Sequence, residues 1–470
     1  MKKGVFFMSK PLQNDLGRDP VGRLLFRLAV PAITAQLINA LYNIVDRMYL
    51  GHLPGSGTLA LTGVGVTFPI IMIISAFASL IGMGGAPLAS IKMGEGNQAR
   101  AERIMGNCFA TLLGLSAVLT VFFLATKDTL LYWFGASDAT FGYANQYLTI
   151  YVIGTLFVQL TLGMNAFINA QGFAKMGMLT VLIGAACNII LDPIFIFVFK
   201  MQVQGAALAT ILSQCLSACW VVRFLFSERS TLRIRRQHMR PSWGVMGKVL
   251  ALGFAPFIMQ STESLVQITL NANLKLFGGD AAVGAATICS SVMQIVMMPL
   301  TGMTQGAQPI ISYNYGAGNF DRVRKAFRYL LACCLAFSCL SCAAIELFPG
   351  LFISIFNRDP ALREIAVTGI RIFFAGTWLF GAQIACQNTF LAVGQARISV
   401  FLALLRKIIL LIPLAILLPR LGMGAWGVFT AEPIADLAAA ATTSIVFAFS
   451  MKRILAHPPI QSSSTPAMKG

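Results

Sequence analysis

The sequence is short of charge: 11% of its 470 residues are Asp, Glu, Lys or Arg and 57% are hydrophobic, whereas a soluble domain carries about 25% charged and roughly 45–50% apolar residues. That shortage excludes a water-soluble globule, which has no way to hide so much apolar surface. Histidine is scarcer still, with His52, His238 and His457 the three present. All three fall in expected loops or tails, and no span holds HExxH or GxSxG, so a membrane-embedded enzyme is not expected. The ten cysteines show no CxxC…CxxC or Cys/His spacing suited to zinc; Cys215 and Cys219 share a helix face, and nearly all the thiols read as packing residues within spans. The start, MKKGVFFMSK, has too short an apolar run for a signal peptide, and Arg18, Arg23 and Arg27 follow before the first long span.

What the chain does have is long apolar runs. Cutting it at charged or turn-rich punctuation leaves about twelve stretches of roughly 20 to 28 residues, each able to cross a hydrocarbon core as a helix. The spans fall near 23–50, 59–83, 104–126, 143–170, 177–199, 204–226, 245–275, 281–312, 325–348, 363–392, 398–419 and 425–450. The fold class expected is an all-α polytopic membrane protein. The net charge of +18 raises the question of nucleic acid, and the position of the basic residues answers it. With the N-terminus inside, cytoplasmic segments collect about 25 of the 35 Lys and Arg, so both termini are expected to be cytoplasmic. The densest run, RSTLRIRRQHMR from Arg229 to Arg240, reads as a linker able to touch anionic lipid head groups.

Sliding the chain against itself by 222 residues aligns Gly84, Pro87, Ser90, Gly94, Gly96, Asn97 and Arg100 with Gly306, Pro309, Ser312, Gly316, Gly318, Asn319 and Arg322. The register persists at Gly154-Thr155 with Gly376-Thr377, Gly172 with Gly394, and Gly205 with Gly427; Pro31 aligns with Pro256 after a three-residue shift. Each half holds six crossings, so the halves are expected to be parallel repeats about a pseudo-two-fold axis along the membrane normal, with a cavity between them. The divisions expected are a tail at 1–22, an N-lobe at 23–226, a linker at 227–244, a C-lobe at 245–452 and a tail at 453–470. The turns MGEGN (93–97) and YGAGN (315–319) lack the Lys-Ser/Thr of a phosphate-binding loop and read as tight turns in which glycine accepts a positive φ.

Ionisable groups in hydrocarbon are costly and need a partner, a wet cavity or a task. The candidates are Asp46, Asp192, Glu263, Arg406, Lys407 and Asp436. Asp46 follows Arg23 by roughly 35 Å of straight helix and lies toward the outer leaflet, as does Asp192. Asn188 and Asp192, four apart, share a helix face, and Thr210 enters from the outer end of the next span. Together Asp46, Asn188, Asp192 and Thr210 offer hard oxygen ligands for a small cation such as Na⁺, or two carboxyls close enough to hold a proton. The structural alternative is that Asp192-Pro193 caps or kinks its helix and Asp46 pairs with Arg47. The repeat sets Asn271 opposite Asp46 and Leu414 opposite Asp192, so ion coupling is expected in the first half alone. Glu263 is the evident acid of the second half and Arg406 a candidate counter-charge, the sequence leaving open whether they pair; as a substrate contact, Glu263 would bind cations and Arg406 would fix its orientation or pKa. Asp436, with Glu432 one turn before it, is left without a role.

The segments LAVPAITAQLINALYNIVDRMYLG, MNAFINAQG and NIILDPIFIF, with the paired GxGN turns, resemble the multidrug and toxic compound extrusion (MATE) family over essentially the whole chain, most nearly its DinF-like and MepA-like bacterial branch. The resemblance implies a two-lobed V, open outward, that exports cationic amphipathic compounds in exchange for H⁺ or Na⁺. By position it implies an N-lobe cation network of Asp46, Asn165, Asn188, Asp192 and Thr210, while Glu263 matches an acid used in another branch. Straight-helix counting sets Asn165 nearer the cytoplasmic end, and an acid that some relatives carry on span ten has no match here beyond Glu364.

The partners expected are small cationic drugs and membrane lipid, with no nucleic acid, no cofactor beyond the coupling ion, and a monomer in the bacterial plasma membrane. The 35 Phe and 21 Met offer adaptable walls to flat lipophilic cations. A lipid-linked saccharide flippase of the same superfamily is the competing function; the major facilitator fold is disfavoured because no GxxxDRxGRR-like signature follows span two. The sequence leaves the choice of drug, and of H⁺ or Na⁺, open.

Overall fold

The computed structural model describes residues 14–53, 57–356 and 360–456. The expected tails before residue 14 and from residue 457, including His457, lie outside the described residues. Every regular element among the described residues is helical. The elements are α1 (Val21–Gly51), α2 (Gly57–Gly94), α3 (Gln98–Trp133), α4 (Asp138–Ile153), α5 (Thr155–Ala170), α6 (Ala174–Pro193), α7 (Gln202–Phe226), α8 (Trp243–Gly316), α9 (Phe320–Leu347), α10 (Pro349–Phe356), α11 (Pro360–Phe374), α12 (Thr377–Ala392), α13 (Ala396–Leu404), α14 (Ile412–Leu418) and α15 (Gly424–Ala456). Wide π turns at Ile194–Val198, Leu405–Leu411 and Pro419–Met423 continue α6, α13 and α14.

Twelve crossings account for this order. Among the described residues, eight continuous helical stretches are long and apolar enough to span a bilayer, and two bent pairs, α4 with α5 and α11 with α12, supply two more. The two longest stretches, the 74 residues of Trp243–Gly316 and the 61 of Ala396–Ala456, each hold two spans. The first breaks at Gly279 and the second at Gly422 and Gly424, all three at positive φ, where glycine alone avoids a Cβ clash. The two halves repeat in detail: the bent pairs hinge by 58° and 44° at the repeat-matched Gly154 and Gly376. The matched turn glycines Gly96 and Gly318, and Gly172 and Gly394, share positive φ values between 72° and 85°.

The apolar cores show how the two bundles interlock. Leu24, Leu25, Leu28 and Ala29 at the start of α1 are buried in the core of the second bundle, beside Ile310 and Val323. Reciprocally, Met246 and Val249 at the start of α8 belong to a core of the first bundle, with Met105 and Phe167. Each bundle thus inserts the start of its leading helix into the other at one end, the end that carries residues 14–20, the linker and both GxGN turns.

Glycine makes this approach close enough to seal. A Cβ on Gly84 would strike the backbone of Val249 and Gly253, one on Gly253 the backbone of Leu80, and one on Gly316 the carbonyl of Ile91. The segment before α1 straps the same end: Asn14 donates to the Gly172 carbonyl at 3.1 Å, while the Leu16 carbonyl accepts from Asn314 at 2.8 Å and from Arg322 at 3.1 Å. The linker is held in turn by α3, with Arg235 on Glu102 at 2.8 Å and the Ser242 amide donating to Asn107 at 2.7 Å. Toward the middle the lobes still touch through Gln36 and Gln305 at 3.3 Å and through the rings of Phe77 and Phe257, 5.0 Å apart. Farther along α1, Leu37, Leu41, Ile44 and Met48 are exposed.

A side chain at Gly253 should wedge this seal open. In a background lacking the native cysteines, Ser90→Cys, a position buried against the Pro309 carbonyl, should resist a membrane-impermeant maleimide applied from that end. Adding Gly253→Val should expose it. Equal labelling with and without Gly253→Val would contradict the glycine-dependent seal.

Candidate functional site

The polar groups of the first bundle gather near its far end, in the last turns of α1 and α6 and the first turns of α7. Asp192 is fully buried and Asn188 nearly so. The Asn188 side-chain amide donates to Asp192 Oδ1 at 3.2 Å and reaches the Thr210 hydroxyl at 3.5 Å. From α1, the carboxyl of Asp46 comes within hydrogen-bonding reach of that of Asp192. Among the described residues neither acid forms an ion pair with a Lys or Arg: Arg47 turns away, its guanidinium 5.6 Å over the ring of Phe68. Asp46 Oδ1, Asp192 Oδ2 and Asn188 Oδ1 are buried without a partner. Carboxyl groups that touch in a low-dielectric interior repel unless a positive charge lies between them, either a shared proton or a small cation.

Four of the five residues expected for the cation network therefore converge; of the structural alternative, the cap at Asp192 and the Asp46–Arg47 pair are not found among the described residues, while the helix does change to a π turn after Pro193. The chain runs through Asp192-Pro193 into the π turn with Ile194 still helical, and Asp46 does not pair with Arg47. Asn165 is the exception. Its amide donates to the Gly177 carbonyl at 3.4 Å, eleven residues ahead of Asn188 and so roughly 16 Å down α6. Tyrosine is the addition: Tyr147 pairs with the Thr210 hydroxyl and Tyr151 with Ser75, their rings stacked 6.3 Å apart, and Tyr42 stands one turn before Asp46 on α1. The signal for them lay in the four-residue spacings Tyr42-Asp46 and Tyr147-Tyr151, which put each pair on one helix face.

The second bundle holds its charges differently. Glu263, on α8, keeps 50% of its side chain exposed, and its partner is Lys407, 8% exposed, which also donates to the Met259 carbonyl at 2.6 Å. The open question of whether Glu263 pairs with Arg406 is thus answered by Lys407. Arg406 instead bonds Asp436 at 2.7 Å and Glu432 at 3.0 Å and lies 4.7 Å over the ring of Phe380. Adjacent residues diverge on a helix surface, and Arg406 and Lys407 sit in the π turn Leu405–Leu411, one facing α15 and the other α8. Glu432 and Asp436, left without a role in the sequence, hold the buried guanidinium. An offset of 222 also sets Glu432 opposite Thr210 and Asp436 opposite Gln214, so both lobes place their polar cluster at matched depth.

Arg406→Met should strand two buried acids, and removing one partner of a buried ion pair typically costs about 3–5 kcal/mol. The variant should unfold at clearly lower temperature in detergent, and Glu432→Gln with Asp436→Asn added should recover much of the loss. An unchanged melting temperature in Arg406→Met would contradict the assignment.

The chain's likeness to known proteins agrees with this architecture. The family model MatE matches residues 31–194 and 256–417, segments that open at the repeat-matched Pro31 and Pro256. The chain is 24% identical over 415 residues to the multidrug export protein MepA of Staphylococcus haemolyticus strain JCSC1435, covering 88% of this chain and 91% of that protein. It is 23% identical over 424 residues to MepA of Staphylococcus aureus strain NCTC 8325, covering 90% and 93%. Among solved structures, the fold is similar to the outward-facing conformation of a multidrug resistance MATE family transporter of the MOP superfamily, with a TM-score of 0.87, 22% identity, and 95% and 99% of the two chains covered. A MOP superfamily transporter from Pyrococcus furiosus, described as having a binding pocket of reverse polarity, gives a TM-score of 0.88 at 22% identity, covering 96% and 100%. Twelve spans in two repeated bundles, and a family match that falls once on each, make this chain a member of the MatE family of multi-pass membrane transporters.

Proposed function

We propose that this transporter is a secondary efflux antiporter that expels cationic, amphipathic compounds in exchange for H⁺ or Na⁺. The observation that carries the reading is the contact between Asp46 and Asp192, which among the described residues has no ion-pair partner. Such a pair is stable while a monovalent cation sits between the carboxyls and repulsive once it leaves, so occupancy biases how α1 packs against α6. The Asn188 amide and the Thr210 hydroxyl complete the donor set. Oxygen ligands of this kind suit Na⁺ as well as a proton. An ion can shift the balance between two conformations only by as much as its affinity differs between them, and a site whose two acids come from different helices supplies that difference.

Cargo and coupling ion occupy different lobes on this reading. Glu263, half exposed, offers a carboxylate to a cationic substrate, with Lys407 as the charge that substrate must displace; Arg406 holds the cluster behind it. Alternating access is rocking of an N-lobe, 23–226, against a C-lobe, 245–452, about the linker at 227–244. The closed, glycine-packed end faces the cytoplasm with both termini, where the basic residues collect, and the protein is a monomer in the bacterial plasma membrane. The names of the MepA relatives support multidrug export. A flippase of lipid-linked saccharides would want uncompensated cations facing its cleft, and Arg406 and Lys407 are both neutralised.

Proteoliposomes loaded with a fluorescent cation and given separate proton and sodium gradients test the proposal. Wild type should expel the dye with one gradient. Asp46→Asn and Asp192→Asn should each lose gradient-driven efflux while reconstituting normally. Efflux by both variants at the wild-type rate would refute the switch, and inertness of wild type to both gradients would favour the flippase. Lys407→Met, which frees Glu263, should lower the apparent KM for a monovalent cation; an unchanged KM would remove Glu263 from the substrate path.

A further inference from the structure

A pocket that the transport reading leaves unused opens between α9 and α15. Both helices pack against α12, and the space left between them, about 440 Å³, is floored by Thr389, whose hydroxyl is spent on the Ala385 carbonyl at 2.7 Å. One wall is apolar: Phe327 and Phe447 stack with ring centres 4.2 Å apart, and Met451 and Leu455 continue it along α15. The rim is cationic. Arg324 and Arg328 from α9 and Lys452 from α15 line it, all three exposed. The acid beside them is Asp321, 96% exposed and 2.9 Å from Arg324, which leaves an excess of two positive charges.

Depth gives this pairing its meaning. The lining residues belong to the first turns of α9, which starts at Phe320, and the last turns of α15, which ends at Ala456. The cations therefore stand where hydrocarbon gives way to head groups, and the aromatic wall runs from them toward the bilayer interior. Basic pockets between membrane helices at this level suit phosphate head groups. A free anion would gain nothing from the stacked rings, and a zwitterionic lipid would bring its own cation against three others.

We propose that this crevice is a binding site for one anionic phospholipid, its phosphate among Arg324, Arg328 and Lys452 and an acyl chain along Phe327, Phe447 and Met451. The bound lipid links α9 to α15 across α12, at the end where the two lobes close. This assignment does not depend on the nature of the cargo or of the coupling ion.

Native mass spectrometry of the purified full-length chain, given equal phosphatidylglycerol and phosphatidylcholine, tests it. Wild type should retain one phosphatidylglycerol in preference to phosphatidylcholine. Arg328→Gln and Lys452→Gln should each lower that preference about fivefold, the worth of one basic residue at an anionic surface. Ala448→Trp, which fills the crevice and leaves every charge in place, should also release the lipid, while Arg229→Gln with Arg236→Gln in the linker should not. Each variant should melt in phosphatidylcholine alone as wild type does, so that lost lipid is not lost fold. Preference unchanged by the two rim variants, lipid retained after Ala448→Trp, an equal loss from the linker variant, or displacement of the lipid by inorganic phosphate would each overturn the proposal.

Discussion

Two carboxyl groups from different helices meet in a part of the membrane where, among the described residues, neither forms an ion pair with a Lys or Arg. Asp46 and Asp192 have each other, the Asn188 amide and a ring of hydroxyls for company. Hydrocarbon offers little water to screen them, so their repulsion is strong unless a cation intervenes. The position of α1 against α6 therefore depends on what lies between the two acids. On the proposed reading that dependence is the coupling, and the rest of the fold serves to convert a small displacement of α1 into a change of access.

The opposite lobe answers the same physical problem with tethered cations. At repeat-matched depth it places Glu432 where the first lobe has Thr210, and Arg406 where the first lobe has Gly184. Three of its acids are paired with two tethered cations, Glu432 and Asp436 with Arg406 and Glu263 with Lys407. On the proposed reading one lobe exchanges a mobile ion and the other keeps tethered charge, with Glu263 half exposed. The reciprocal burial of the starts of α1 and α8 joins these unlike lobes at one end. Leu24 and Leu28 pack in the second core while Asp46, on the same helix, meets Asp192 in the first, so on the proposed reading α1 is the element that carries strain between them.

Much of this was legible in the sequence because a bilayer leaves so few choices. Apolar runs located the spanning helices, with ends several residues short, as at 83 against Gly94 and 126 against Trp133, and the 222-residue repeat matched Gly154 with Gly376, where the spans prove to bend. The meeting of Asp46, Asn188, Asp192 and Thr210 followed from depth and helix face. The misplacements have different origins. Arg406 and Lys407 are neighbours in a π turn, and straight-helix geometry gave no means to decide which of them faces Glu263. Asn165 was assigned by motif, although its own depth argued against that place, and it bonds the Gly177 carbonyl instead. The tyrosines were hidden because an aromatic ring in a membrane helix reads as packing until a buried acid stands beside it. The exchange of helix starts between lobes is a tertiary fact with no local signature beyond small residues such as Gly84 and Gly253.

The central claim is that one monovalent cation resides between Asp46 and Asp192 and is linked to cargo binding. Its most direct measurement is ion release from purified protein in weakly buffered detergent when a cationic substrate is added, followed with a pH indicator for H⁺ and with ²²Na for Na⁺. The account predicts that substrate binding discharges one of the two ions from wild type, and that Asp192→Asn binds substrate without that discharge. Equal release from the variant, or saturating substrate binding to wild type with neither ion released, would contradict it.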